Sequence, residues 1–190
     1  MGFTVTEEHL NGIRVIEPSS FKDERGFFME AYREDYFEAL GLPTDFKQEN
    51  HSGSVQNVLR GLHFQWDKPM GKLLRATQGK ILLVEVDIRV DSPTFGRHCM
   101  IEVSAENRKM VWIPPGFANG FLIQSTWAEV QYKCTTLYNP KAESSIRWND
   151  PKLDINWGIT NPILSTKDSY AQTFDHWLAQ PEAQLFRMSI

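Results

Sequence analysis

The sequence predicts an all-β fold, a sandwich or barrel closed by a helical tail. Turn signals recur at short intervals, at Asn11-Gly12, Arg25-Gly26, Gln78-Gly79, Asp91-Ser92-Pro93, Pro114-Pro115-Gly116 and Asn139-Pro140. Between them lie short segments rich in Val, Ile, Phe and Thr, the composition of strands. Helical patterning is confined to two places, one near the N-terminus and one after Ser165.

The elements follow in order. Phe3–Thr6 reads as a strand, then Ile13–Glu17, Phe27–Tyr32 and Phe46–Asn50. A helix is expected over Glu34–Leu40, stopped by Gly41 and Pro43. Further strands are expected at Val58–Phe64, Lys72–Thr77, Lys80–Arg89, His98–Val103, Lys109–Ile113, Gly120–Gln124 and Ala128–Tyr138. In the last of these, alternation places Val130, Tyr132, Cys134, Thr136 and Tyr138 on one inward face. After Ser165 the pattern Ser165-x-x-Asp168 reads as a helix start preceding Tyr170, Phe174 and Trp177.

Composition narrows the function classes. At 190 residues, 41% apolar and 23% charged, the chain suits one buried core, expected as a single domain over residues 1–190. A net charge of −4 argues against a nucleic-acid partner. The N-terminus has neither the basic nor the apolar region of a signal peptide, and no apolar run matches a membrane span, so a cytoplasmic protein is expected. Cys99 and Cys134 read as buried free thiols.

The most unusual stretch is Leu59-Arg60-Gly61-Leu62-His63-Phe64-Gln65, which puts an Arg and a His inside an apolar strand. Strict alternation sends them to opposite faces; a bulge at Gly61 would bring both to the same side. His63 taken singly reads as a hydrogen-bonded core histidine. Metal-binding barrels commonly offer His-x-His followed by Glu and a later His. Here the stretch is His63-Phe64-Gln65, with no other histidine near it, and no metal site is expected.

The wider pattern is specific. It comprises Asp23–Glu30, Gln48-Glu49-Asn50-His51-Ser52, Leu59–Gln65, Gly71-Lys72-Leu73, Val86-Asp87-Ile88-Arg89, Ser92–Gly96, Ile113–Ala118, Tyr132-Lys133, Ile146–Pro151 and Ser165–Asp168. Together these blocks resemble the dTDP-4-dehydrorhamnose 3,5-epimerase family over residues 3 to 170. The resemblance implies an all-β, cupin-type jelly-roll barrel with short peripheral and C-terminal helices, a homodimer and no cofactor. The implied substrate is a nucleotide-diphosphate sugar carrying a C4 ketone. The implied reaction inverts C3, C5 or both, in deoxysugar or surface-polysaccharide biosynthesis.

That chemistry calls for a base of near-neutral pKa, an enolate stabiliser and an acid on the other face of the sugar. The resemblance assigns His63 as base with Asp168 as its carboxylate partner, Lys72 at the enolate oxygen and Tyr132 as acid. It implies substrate contacts for Arg25, Glu30, Gln48, Asn50 and Arg60, with Tyr138 and Asn119 as further pocket candidates. The family's His at position 119 is Asn here, and its Asp, aligned at position 83, is Leu83. That paired change is expected either to be neutral or to alter regiochemistry or the nucleotide, with CDP- or GDP-linked sugars as alternatives. A catalytically silent sugar-nucleotide-binding barrel and an isomerase moving the carbonyl are the competing readings. The retention of His63, Lys72, Tyr132 and Asp168 together argues against the silent barrel.

Overall fold

The computed structural model describes residues 2–188. Among the described residues there are thirteen strands: β1 Phe3–His9, β2 Ile13–Pro18, β3 Ser20–Asp23, β4 Gly26–Met29, β5 Gln48–Val55, β6 Leu59–Gln65, β7 Lys72–Gln78, β8 Lys80–Asp87, β9 His98–Ser104, β10 Met110–Ile113, β11 Phe117–Ile123, β12 Trp127–Cys134 and β13 Glu143–Ser145. They form a six-stranded sheet in the order β1-β2-β10-β7-β12-β5, a five-stranded sheet β13-β6-β11-β8-β9, and the separate hairpin β3-β4. All these pairings are antiparallel. The large sheets face each other as a jelly roll, as the strand rhythm predicts.

Alternation along each strand explains the layering. Val15, Leu74, Leu83 and Val130 meet in the core between the sheets. Their neighbours face outward and are covered as well. Ile16 and Leu73 pack under Phe37 of helix α1 (Glu34–Ala39). Val84 and Val86 pack under the C-terminal segment with Trp177 and Phe186. With both faces buried, β8 and β11 read as near-continuous apolar runs rather than alternating ones.

Several expected boundaries are corrected. The expected strand Phe27–Tyr32 stops at Met29, because β4 pairs with its hairpin partner β3, a strand not expected from the sequence. The segment Phe46–Asn50 starts pairing only at Gln48 and continues to Val55, where its polar residues lie along β12. The strand Lys80–Arg89 ends at Asp87. The expected strand Ala128–Tyr138 ends at Cys134, so Thr136 and Tyr138 lie in the following loop rather than on its inward face. The helix after Ser165 is two short helices, α2 Thr166–Ser169 and α3 Phe174–Leu178, each with its own side-chain N-cap, Ser165 and Thr173. Tyr170 falls in the break and is 85% exposed, while Phe174 and Trp177 are buried. Among the described residues, no helix is long and apolar enough to cross a membrane.

Candidate active site

The strand β6 carries the bulge that its sequence suggests. Asn119 pairs with His63 and Phe121 with Arg60, so Gly61 and Leu62 together oppose Gly120. Gly61 has φ +115°, and a Cβ there would lie 2.5 Å from the Asn119 carbonyl oxygen. Only glycine meets both conditions. The extra residue turns Arg60 and His63 to the same side. Arg60 reaches the facing sheet, donating to Ser54 Oγ at 2.9 and 3.1 Å.

The C-terminal segment is threaded onto β6 by backbone hydrogen bonds. Leu59 N–H donates to the Ile163 carbonyl and Ile163 N–H to the Asn57 carbonyl. Two residues later Ser165 caps α2, accepting from the Asp168 N–H. The Asp168 side chain is 3% exposed and lies 2.5 Å from His63 Nε2 through Oδ1, while Oδ2 accepts from Ser165 Oγ. One residue thus closes the helix start and holds the imidazole. Burial pushes the Asp168 pKa up, but the hydrogen bonds and charge of His63, with the Ser165 and Gly61 donors, bring it net below its ordinary value.

His63 opens on a cavity of about 290 Å³ between the sheets. The six-stranded sheet contributes Gln48, Asn50, Lys72 and Tyr132; β6 contributes His63, Phe64 and Gln65. Met70, Phe117, Tyr138 and Glu143 complete the wall. A second cleft of about 520 Å³ shares Gln65 and Tyr138 with it and adds Lys47 and Lys68. His63 and Tyr132 therefore approach one space from opposing sheets. Burial, assisted by Cys134, raises the Tyr132 pKa, which keeps the phenol protonated. Lys72 Nζ stands 5.8 Å from the centre of the Tyr132 ring.

Not every expected residue reaches this cavity. Gln48 and Asn50 line it, joined by a 2.9 Å hydrogen bond. Tyr138 lines it from the loop, its hydroxyl donating to Glu143 at 2.6 Å. Arg60 points to the same side as His63 but is exposed, and it does not line the cavity. Arg25 does not: it sits at the tip of the β3-β4 hairpin, 84% exposed and paired with Asp23. Glu30 follows that hairpin and pairs with Arg33. Glu143, missed from sequence, sits in a three-residue strand too short to show a period, and also pairs with Lys167.

Asn119 is paired across the sheet with a residue other than Leu83. Leu83 is an ordinary core residue paired with Phe121. The residue opposite Asn119 is Glu85, fully buried, and Asn119 Nδ2 donates to its Oε1. A supporting carboxylate is therefore present, two residues further along the strand. Asn119 lies beneath the cavity and accepts at Oδ1 from Lys72 Nζ at 3.1 Å. Burial lowers the Lys72 pKa against the attraction of Glu85; burial pushes Glu85 up to about 8, against Lys72 and Asn119.

Two of the sequence blocks are structural. Asp87 is fully buried and accepts from Arg89, from Ser92 Oγ and from Thr94 Oγ1. Arg89 in turn donates to the Leu10 and Asn11 carbonyls, tying β8 to the β1-β2 turn.

The family model for dTDP-4-dehydrorhamnose 3,5-epimerase matches residues 7–176. A dTDP-4-dehydrorhamnose 3,5-epimerase of Salmonella typhimurium is 48% identical over 169 residues, 87% of this chain and 92% of the relative. That of Neisseria gonorrhoeae is 44% identical over 96% of this chain, which spans 55% of the relative's length. A solved structure, the dTDP-6-deoxy-D-glucose-3,5-epimerase of Legionella pneumophila in complex with dTDP-4-keto-L-rhamnose, superposes with a TM-score of 0.89 at 40% identity, covering 97% of each chain. With its jelly roll, its His63–Asp168 pair and the cavity between its sheets, the chain belongs to the dTDP-4-dehydrorhamnose 3,5-epimerase family of isomerases.

Proposed function

We propose that the chain epimerises a dTDP-linked 4-keto-6-deoxy sugar, removing and returning a proton beside the C4 ketone at C3, C5 or both. In this reading His63, oriented by Asp168, takes the proton. The Lys72 ammonium stabilises the enolate oxygen. Tyr132 returns a proton to the opposite face. The ketone itself acidifies the neighbouring carbon, so the reaction calls for no cofactor.

The observation that carries the reading is the approach of His63 and Tyr132 to one cavity from opposing sheets, with Lys72 beside Tyr132. Inversion needs a base and an acid on opposite faces of the ring, and that is the relation these two side chains have to the space between them. Gln48, Asn50 and Tyr138 contact the substrate in the same cavity.

The working form is a homodimer. Phe21, Phe27 and Phe28 on the β3-β4 hairpin are 55–59% exposed, a patch that a second copy would cover. Arg25 and Glu30 act on substrate only if the hairpin of one copy approaches the cavity of the other. Light scattering of the purified protein gives the mass; a monomer at working concentration ends that part of the reading.

The test of activity is solvent exchange. The protein is incubated in D2O with dTDP-, CDP- and GDP-linked 4-keto-6-deoxy sugars, and deuterium at C3 and C5 is followed by NMR. Exchange with the dTDP sugar is expected. Its absence with all three sugars overturns the proposal, and exchange at one carbon only restricts it to a single centre.

A further inference from the structure

We propose that Glu85 is a positioning residue for Lys72, acting through the Asn119 amide to aim the ammonium at the cavity and to hold its charge at alkaline pH. This rests on the reading of Lys72 as the enolate stabiliser.

The geometry is a bridge between the two sheets. Lys72 on β7 donates to Asn119 Oδ1, and Asn119 on β11 donates through Nδ2 to Glu85 Oε1 on β8. An ammonium has only donors, so the Asn119 oxygen must face Lys72 and its NH2 must face Glu85. The carboxyl therefore fixes the orientation of the amide, and the amide fixes the ammonium. Glu85 lies on the inward face of β8 with Leu83, so it occupies a core position and not a solvated one. Its Oε2 is buried with no hydrogen-bond partner among the described residues. Burying a carboxyl this way is costly and needs a compensating role.

The charges around the bridge are few. Glu85 meets Lys72 and Asn119, with Cys99 on the adjoining strand β9. Lys72 feels the charges of Glu85, Cys134, Glu143 and Lys167, with the Tyr132 ring beside it. Of these, Glu85 is the nearest carboxyl to Lys72 by connection, one side chain away. Once Glu85 ionises, its charge favours the protonated amine, and replacing it with a neutral side chain removes that support.

Two measurements on Glu85→Gln test the proposal, with Glu85→Met as a second variant should the first fail to fold. The first needs no turnover. Lysines are reductively methylated with 13C, and the Lys72 signal, assigned by its loss in Lys72→Arg, is titrated by NMR. Its midpoint is expected to fall by about one pH unit or more in the variant, the size expected for losing a close opposite charge. An unchanged midpoint overturns the proposal. The second measurement is the pH profile of epimerisation. The alkaline limb of kcat is expected to move to lower pH by a similar amount, while KM for the dTDP sugar stays within about twofold, because Glu85 does not line the cavity. Equal losses at all pH values, or a rise in KM with kcat intact, overturn it. A wild-type protein without exchange on any sugar, but with the Lys72 shift present, removes the enolate role and leaves the Glu85 linkage standing.

Discussion

His63 and Asp168 lie 105 residues apart in the chain and 2.5 Å apart in space. The contact depends on two local devices: the Gly61 bulge that turns His63 inward, and the Ile163 backbone bonds that lay α2 against β6. With Nε2 engaged by the carboxylate, Nδ1 is the ring nitrogen that would take the proton in the proposed reaction, and the tautomer follows from the partner.

Replacing His63 with Asn is therefore expected to lower epimerisation by at least about 10²-fold, the low end for losing a general base. Asp168→Asn should lower it as well, through misorientation of the imidazole. Initial rates of C3 and C5 deuterium exchange measure both. A His63→Asn variant at full rate would remove His63 as the base.

Tyr132→Phe separates the two proton transfers. Abstraction by His63 persists, so deuterium still enters the substrate from the His63 face. Inversion is expected to fall by about 10²-fold or more, because the acid on the other face is gone. Exchange and inversion are read from one NMR time course. Equal losses of both would assign Tyr132 no separate role.

Gly61→Ala should damage the site from a position that touches no substrate. The new Cβ would lie 2.5 Å from the Asn119 carbonyl and 2.6 Å from Gly120 Cα, on a residue whose φ is +115°. Backbone strain of this kind costs about 1–3 kcal/mol. A lower melting temperature together with lost activity is expected; a variant with wild-type stability and rate would contradict the bulge.

The buried Asp87–Arg89 pair is a stability element. Arg89→Met leaves the Asp87 charge uncompensated, and the loss is expected to be about 3–5 kcal/mol, read by urea unfolding. Burial raises the Asp87 pKa, but Arg89, Ser92 and Thr94 bring it net below its ordinary value. The unfolded chain thus binds the proton more tightly at acid pH. The Asp87 contribution is complete above the unfolded carboxyl pKa of about 4 and is lost as pH falls through the lower folded value. Stability that fell instead between neutral pH and pH 5, with Arg89→Met showing the same slope, would contradict this assignment.

Both thiols are free, Cys134 buried as expected and Cys99 only partly so, and both should be inert in the folded protein. Burial pushes Cys99 up to about 12 and raises Cys134 as well. At pH 8 little thiolate is present, so iodoacetamide is expected to modify both slowly in native protein and rapidly in urea, as followed by mass spectrometry. Rapid native labelling of either would contradict this shielding.

The all-β class and most strand positions were legible in the sequence, because turn residues and apolar patterning are local properties; the family was legible only through the resemblance of its motif blocks. His63, Lys72, Tyr132 and Asp168 stood out through that same resemblance, since His63 taken singly reads as a core histidine. The role of Asp87-Ile88-Arg89 and Ser92–Gly96 as an internal brace was not, because hydrogen-bond partners are not encoded in spacing. Nor could the sequence show that Arg25 leaves its own cavity on an exposed hairpin, or that Glu143 enters it from a three-residue strand. The buried carboxyl opposite Asn119 was not legible either, because Leu83 and Glu85 share one face of β8. Strand register alone sets Glu85 opposite Asn119, and register is decided by which residues of β8 and β11 pair across the sheet. The sequence by itself determined which side chains were available; the tertiary structure decided which of them meet, because a cavity between two sheets is a relation among distant segments.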